Sequence, residues 1–140
     1  MRLLRLIATK FERMVSPLIS KVLWPPVGAN VVCRHEGKYL VLDTGRSYRF
    51  PGGLMNGGEH PSEAAAREFR EETGLEAEIG EMICIKTLFD GITAVHFFYS
   101  ASLNDGFESA DGNWEGEPVL VSKEELSDEM QKVIEEVEEM

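Results

Sequence analysis

Glu59, Arg67, Glu68, Glu71 and Glu72 crowd into one short stretch of this chain, behind a glycine-rich approach at Gly52, Gly53, Gly57 and Gly58. Carboxylates at this density either solvate a helix face or hold a hard cation. Pro61 suits a first helical turn, where its missing N–H is not needed, and Ala64, Ala65 and Ala66 suit a helix interior. Gly74 suits the left-handed residue that ends a helix, so the segment reads as loop, helix, loop. With His60 as the cap, Glu63 falls at the third helical position and reaches back to the cap N–H. Glu68 and Glu72 are then four apart and Glu71 three from Glu68, which predicts three carboxylates on one edge of the helix. Like charges at that spacing repel, and Arg67 and Arg70 neutralise only part of the excess. A divalent cation is the natural compensation, and all-oxygen donors point to Mg²⁺, with Mn²⁺ as a substitute. A lone glutamate pair would read better as a solvated acidic face; here Glu59, Arg67 and the glycines favour a metal site.

Gly53, Glu59, Arg67, Glu68, Glu71, Glu72 and Gly74 stand on the pattern G-x5-E-x7-R-E-U-x-E-E-x-G-U, with Phe69 and Leu75 at the apolar U positions. Chance fulfilment of every fixed position is on the order of one in a million at background frequencies. The stretch resembles the Nudix box. The resemblance spans about residues 27–135 and implies an α/β fold, an α/β/α sandwich around a mixed sheet. It also implies hydrolysis of a nucleoside diphosphate linked to another group, by attack of water on phosphorus. By the same resemblance Glu68, Glu71 and Glu72 hold metal ions or activate the water, and the backbone carbonyl of Gly52 completes the coordination shell. Arg67 would orient the glutamates, Glu59 would support them or ligate a second metal, and Glu115 lies about where several relatives supply a further acid. Glu68 is the preferred general base, ahead of Glu72. Asn56 stands where many relatives carry an acid, at a variable position of the pattern.

Substrate class is read from what does not follow the box. Position 91 is Gly, Pro118 is the only later proline and Tyr99 lies too far on, so the secondary marks of ADP-ribose, dinucleoside polyphosphate and NADH enzymes are missing. What remains is similar to the short, MutT-type nucleoside triphosphate pyrophosphatases. Other nucleoside diphosphate derivatives (ADP-ribose, dinucleoside polyphosphates, sugar nucleotides) stay open, as does a non-catalytic nucleotide-sensing module, although such a module would usually have lost a box glutamate.

Length suits one domain with a core that needs no disulfide. Asp and Glu number 25 against 14 Lys and Arg, a net charge of −11. That balance disfavours nucleic acid as a partner, because phosphate contacts need a basic face. Cys33 and Cys84 sit in apolar runs without metal-ligand spacing and read as reduced core thiols, consistent with a cytoplasmic protein.

Charge is uneven along the chain. Arg2, Arg5, Lys10, Arg13 and Lys21 stand against Glu12, so residues 1–24 carry a net +4 and the remainder −15. Leu3, Ile7, Phe11, Met14, Leu18 and Val22 recur at spacings of three or four, which predicts an extra amino-terminal amphipathic helix kinked near Pro17. Lys10, Glu12 and Arg13 interrupt the apolar run, which argues against a secretory signal. The chain is accordingly divided into residues 1–26, helix and Pro hinge, and residues 27–140, the catalytic domain. The helix either lies on an anionic membrane surface or packs against the domain or a second subunit in a homodimer; the apolar stripe favours packing.

Short β-branched, apolar runs predict strands over 27–34 and 38–42, joined by a turn at His35, Glu36 and Gly37, with a further extended segment at 48–50. After the box, strands are expected at 77–88 and 92–103 around an Asp90–Gly91 turn, then a polar loop over 104–116 and a strand at 118–121. Ser122 or Ser127 caps a last helix, whose apolar stripe is Leu126, Met130, Val133, Ile134 and Val137. Tyr48, Phe50, Phe97, Tyr99 and Trp114 are the aromatics available to stack on a base; all but the loop residue Trp114 are better read as core. His96 is expected on the strand face opposite Phe97 and Tyr99, in a structural role.

Overall fold

A computed structural model of the chain describes residues 2–4, 7, 10, 14, 26–89 and 93–140. The kink at Pro17 and the Asp90–Gly91 turn lie outside the described residues; of the expected leader helix, residues 2–4, 7, 10 and 14 are helical, and Leu3, Ile7 and Met14 of its apolar stripe are exposed. Among the described residues no helix is long and apolar enough to cross a membrane.

Strand β1 (Val27–His35) and β2 (Lys38–Asp43) form the expected hairpin, with His35 opposite Lys38. Glu36 and Gly37 both take left-handed backbone, φ 51° and 78°, which matches a two-residue hairpin turn to the strand twist. Chain order continues with β3 (Tyr48–Arg49), β4 (Gly52–Leu54), helix α1 (Pro61–Thr73), β5 (Ala77–Phe89), β6 (Thr93–Leu103), β7 (Glu117–Val121) and helix α2 (Asp128–Glu138). The sheet runs β3-β2-β1-β6-β5, with β7 against β2. β1 and β6 are parallel and the other pairs antiparallel, so the sheet is mixed, as expected. β4 was not anticipated: its glycines disfavour a strand, yet Ala29 pairs with Gly53 and Asn30 with Gly52. Tertiary pairing with β1 overrides local propensity there.

Because β1 is buried on both faces, its side chains divide between two cores. Ala29, Val31 and Cys33 meet Ala64, Ala65 and Phe69 of α1. Val32 faces the other way, towards Phe50, Phe98, Val133 and Ile134. Helices on opposite faces of one mixed sheet make the α/β/α sandwich. Full burial of Phe69 contributes on the order of 2–3 kcal/mol.

The ends of α1 are set by sequence. His60 Nδ1 accepts from the Ser62 N–H at 3.2 Å, and the His60 N–H donates to Glu63 Oε1 at 3.2 Å. An unprotonated ring nitrogen does here what an Asp or Ser oxygen usually does. Gly74 closes the helix at φ 69°, its N–H donating to Arg70 O. Both candidate serines are used: Ser122 caps a 3-10 turn at Lys123–Glu125, and Ser127 accepts from the Met130 N–H at the start of α2. The 104–116 loop is tied back to α1, with the Asp111 N–H donating to Thr73 O at 2.8 Å and Asn113 Nδ2 to Glu71 O at 3.2 Å. That tether brings residues beyond 110 to the acidic end of the helix.

Candidate functional site

The site forms where α1 crosses β4. The Gly52 N–H donates to Glu72 Oε2 at 2.8 Å, and Glu68 lies directly over Gly53, where a Cβ would stand 2.7 Å from its carboxyl carbon. At Gly52 the Ala29 and Asn30 atoms of β1 fill the space a side chain would need, whereas at Gly53 that space is taken by the Glu68 carboxylate itself.

Two arginines organise the acids. Arg67 grips Glu59 with two nitrogens, Nε to Oε2 at 2.7 Å and Nη2 to Oε1 at 3.0 Å. Its Nη1 donates to Glu68 Oε1 at 2.9 Å and Glu71 Oε2 at 3.2 Å, and Nη2 also reaches Leu54 O at 3.1 Å. Glu59 further accepts the Asn56 N–H at 2.6 Å, so the residue where relatives carry an acid contributes its backbone. The second arginine, Arg49 on β3, donates through Nη2 to Glu72 Oε1 at 2.7 Å and Glu115 Oε2 at 3.2 Å. Through Nη1 it faces Gly52 O at 3.3 Å and Phe50 O at 3.5 Å.

All the residues expected at the site are therefore near one another: Gly52, Glu59, Arg67, Glu68, Glu71, Glu72 and Glu115. They do not converge as a single carboxylate cluster. Glu68 and Glu71 turn to Arg67, while Glu72 turns under the β4 backbone to Arg49. Among the described residues no three acidic, His or Cys side chains are close enough together, as they stand, to hold one metal ion. The reason is electrostatic: the carboxylates repel one another, and each arginine holds a separate set of them through charge-assisted hydrogen bonds. The donor types, all oxygen, still suit a hard divalent ion.

Arg49 is the residue that sequence reasoning missed. Its only local signal is a cation between two aromatics, Tyr48 and Phe50, two positions before Pro51-Gly52. Asn30 was missed as well: it is nearly buried on the face opposite α1, beside Gly52, and its Nδ2 lies 2.7 Å from His96 Nδ1. His96 sits there as expected, across the strand from Phe97 and Tyr99. Phe50 and Tyr99 are core residues, whereas Trp114, next to Glu115, is 90% exposed.

Burial pushes the Glu72 carboxyl up from 4.5 to about 7; the neighbouring Glu115 acts in the same direction, against Arg49 and the Gly52 N–H. Glu59 is held low, first by its hydrogen bond from Arg67 and then by the Asn56 N–H. Arg67 is raised in turn, chiefly by Glu59. Since the folded state favours protonated Glu72, its contribution to stability is full below pH 4.5 and is lost as pH rises through about 7. In EDTA, urea unfolding of the wild type should therefore show a loss on the order of 3 kcal/mol across that window. Glu72→Gln, which has no proton to release there, should not show it; equal pH profiles would refute the assignment.

A family model, the NUDIX domain, matches residues 24–138. YtkD of Bacillus subtilis (strain 168), whose name assigns it provisionally to the 8-oxo-dGTP diphosphatases, is 49% identical over 45 residues, covering 31% of this chain and 28% of that protein. A MutT-like protein of Streptomyces ambofaciens is 37% identical over 73 residues, covering 49% of this chain and 47% of the relative. The matches thus span less than half the length of either curated relative. In three dimensions the chain is similar to a NUDIX hydrolase from Nitrosomonas europaea, with TM-score 0.70 and 23% identity over 82% of this chain and 73% of that one. The last likeness shows the fold; the family follows from the model match over most of the chain, and the chain belongs to the NUDIX family.

Proposed function

We propose that this protein is a Mg²⁺-dependent hydrolase of a phosphoanhydride bond in nucleoside diphosphate-linked substrates, with nucleoside triphosphates of the MutT type as its preferred class. The observation that carries the reading is the seating of Glu68 on Gly53 beside Gly52 and Glu72, inside a chain of the NUDIX family. The names of the two curated relatives support the MutT class.

Gly52 O, Glu59, Glu68, Glu71, Glu72 and Glu115 would hold the ion, with Mn²⁺ as a substitute. The fit rests on their oxygen chemistry and on a positive charge, the Arg49 guanidinium, already lying against Gly52 O, Glu72 and Glu115; the side chains must turn from their arginines to share one ion. The chemistry supplied by a bound divalent ion is neutralisation of phosphate charge and a lower pKa for the attacking water. Glu68 serves as the general base: Arg67 fixes one of its oxygens, and the other takes no hydrogen bond among the described residues. Glu72 has both oxygens engaged, by Arg49 and by the Gly52 N–H, which suits a ligand better than a proton acceptor. Arg67 holds Glu59, Glu68 and Glu71 in register, and exposed Trp114 is the aromatic best placed to meet a base.

Residues 1–26 form a separate appendage in this reading, supported by their opposite charge and by a family match that begins at residue 24. Their role is packing, on the domain or in a homodimer, with membrane contact the alternative. A cytoplasmic setting agrees with the free thiols Cys33 and Cys84.

The deciding experiment is monophosphate release across nucleoside triphosphates, oxidised nucleotides, ADP-ribose, dinucleoside polyphosphates and sugar nucleotides. Turnover should require Mg²⁺, vanish with EDTA and return on adding the ion back. Nucleotide binding without turnover of any member would replace the enzyme with a nucleotide sensor.

A further inference from the structure

Arg49 has no place in the chemistry described so far, yet it makes contacts at the centre of the site. Its guanidinium lies against Glu72 Oε1 at 2.7 Å, Glu115 Oε2 at 3.2 Å, Gly52 O at 3.3 Å and Phe50 O at 3.5 Å. Three of those four acceptors belong to the set proposed to hold the divalent ion. A guanidinium and a dication cannot both lie against the same three oxygens, because their charges repel at contact distance and the lone pairs are shared. One must leave when the other arrives. Arg49 is equipped to leave: β3 is two residues long and stands at the sheet edge, paired among the described residues with β2 alone. The Arg49 side chain is 36% exposed, whereas Glu72, fixed by the Gly52 N–H, is buried.

Resting on the metal-site reading above, we propose that Arg49 is an internal counter-ion that competes with the divalent cation for Gly52 O, Glu72 and Glu115. On displacement it becomes a phosphate contact for the incoming substrate. The exchange weakens binding of the ion alone, and it frees a planar, multidentate phosphate donor only once the ion is in place. Metal and nucleotide binding thereby become cooperative.

The test is titration of the full-length protein with Mn²⁺ alone, read as loss of the free-ion EPR signal, at a pH well above the range where Glu72 titrates. Arg49→Gln is expected to bind Mn²⁺ roughly tenfold more tightly than wild type, and Arg49→Lys roughly threefold. At saturating Mg²⁺, Arg49→Gln should raise KM for a nucleoside triphosphate roughly tenfold. A strut that merely held Glu72 in place would give the opposite sign, with weaker Mn²⁺ binding on its removal; equal or weaker binding in Arg49→Gln overturns the proposal. Should that variant lose its circular dichroism signature, Arg49→Lys decides alone, tighter binding supporting the exchange and equal or weaker binding refuting it. Wild-type protein that takes up no Mn²⁺ would sink the metal site itself and the exchange with it, whereas equal affinities in wild type and variant would sink only the exchange.

Discussion

Glu68→Gln is expected to lower kcat by about 10²- to 10⁴-fold, the usual contribution of a positioned general base, while leaving nucleotide binding measurable. The substitution is nearly isosteric, and a glutamine carbonyl can still accept the Arg67 Nη1 hydrogen bond now made at 2.9 Å. What disappears is the charge and the proton affinity of the second oxygen. Glu68 is partly exposed on α1, with 16% of its side-chain surface accessible, so the variant should fold normally. Steady-state kinetics on the preferred triphosphate, with direct binding measured beside it, would decide the matter. A variant that keeps activity within a few-fold of wild type would move the base to Glu72, whose buried carboxyl is already pushed up to about 7.

A matched pair of glycine substitutions should separate stability from activity. At Gly52 an added Cβ meets the Ala29 carbonyl oxygen, Asn30 Oδ1 at 2.5 Å and Asn30 Cα at 2.7 Å. Two of these are backbone atoms of β1, the strand β4 is paired with, and they have nowhere to go. Gly52→Ala should therefore cost about 3 kcal/mol, the upper range for overpacking, read as a shifted urea midpoint. At Gly53 the three atoms nearest an added Cβ all belong to the Glu68 carboxyl group, its carbon and Oε1 both at 2.7 Å. That is the far end of a flexible side chain. It yields by moving, so Gly53→Ala should leave stability nearly unchanged and lower kcat roughly 10²-fold, the scale expected when a reacting group shifts by about 1 Å. Equal stability losses in the two variants would contradict this description of β4.

The acidic helix was legible in the chain because its signals are local. Pro61, Glu63 and Gly74 are start and stop chemistry that acts within a turn or two, and even His60 was placed correctly as the cap. Apolar and β-branched runs between turn residues marked β1, β2, β5 and β6 to within a residue or two, since a strand buried on both faces reads as a continuous apolar run. The fixed spacing of Glu59, Arg67, Glu68, Glu71 and Glu72 carried the family, because a helix turns any spacing of three or four into proximity.

Three features could not be read that way, and all depend on contacts between residues far apart in the chain. β4 is a strand only because β1 supplies its hydrogen bonds. Glu115 reaches the site only because the loop before it is tied to the end of α1 through Thr73 and Glu71. Arg49 meets Glu72 and Glu115 across sequence separations of 23 and 66 residues, and by doing so divides carboxylates that helix geometry alone would gather on one edge. Residue type and local spacing determine which groups are available and which share a helix edge. Where each charge finds its partner is decided by the packed fold, because electrostatic energy depends on distance in space and on burial, neither of which is a property of position along the chain.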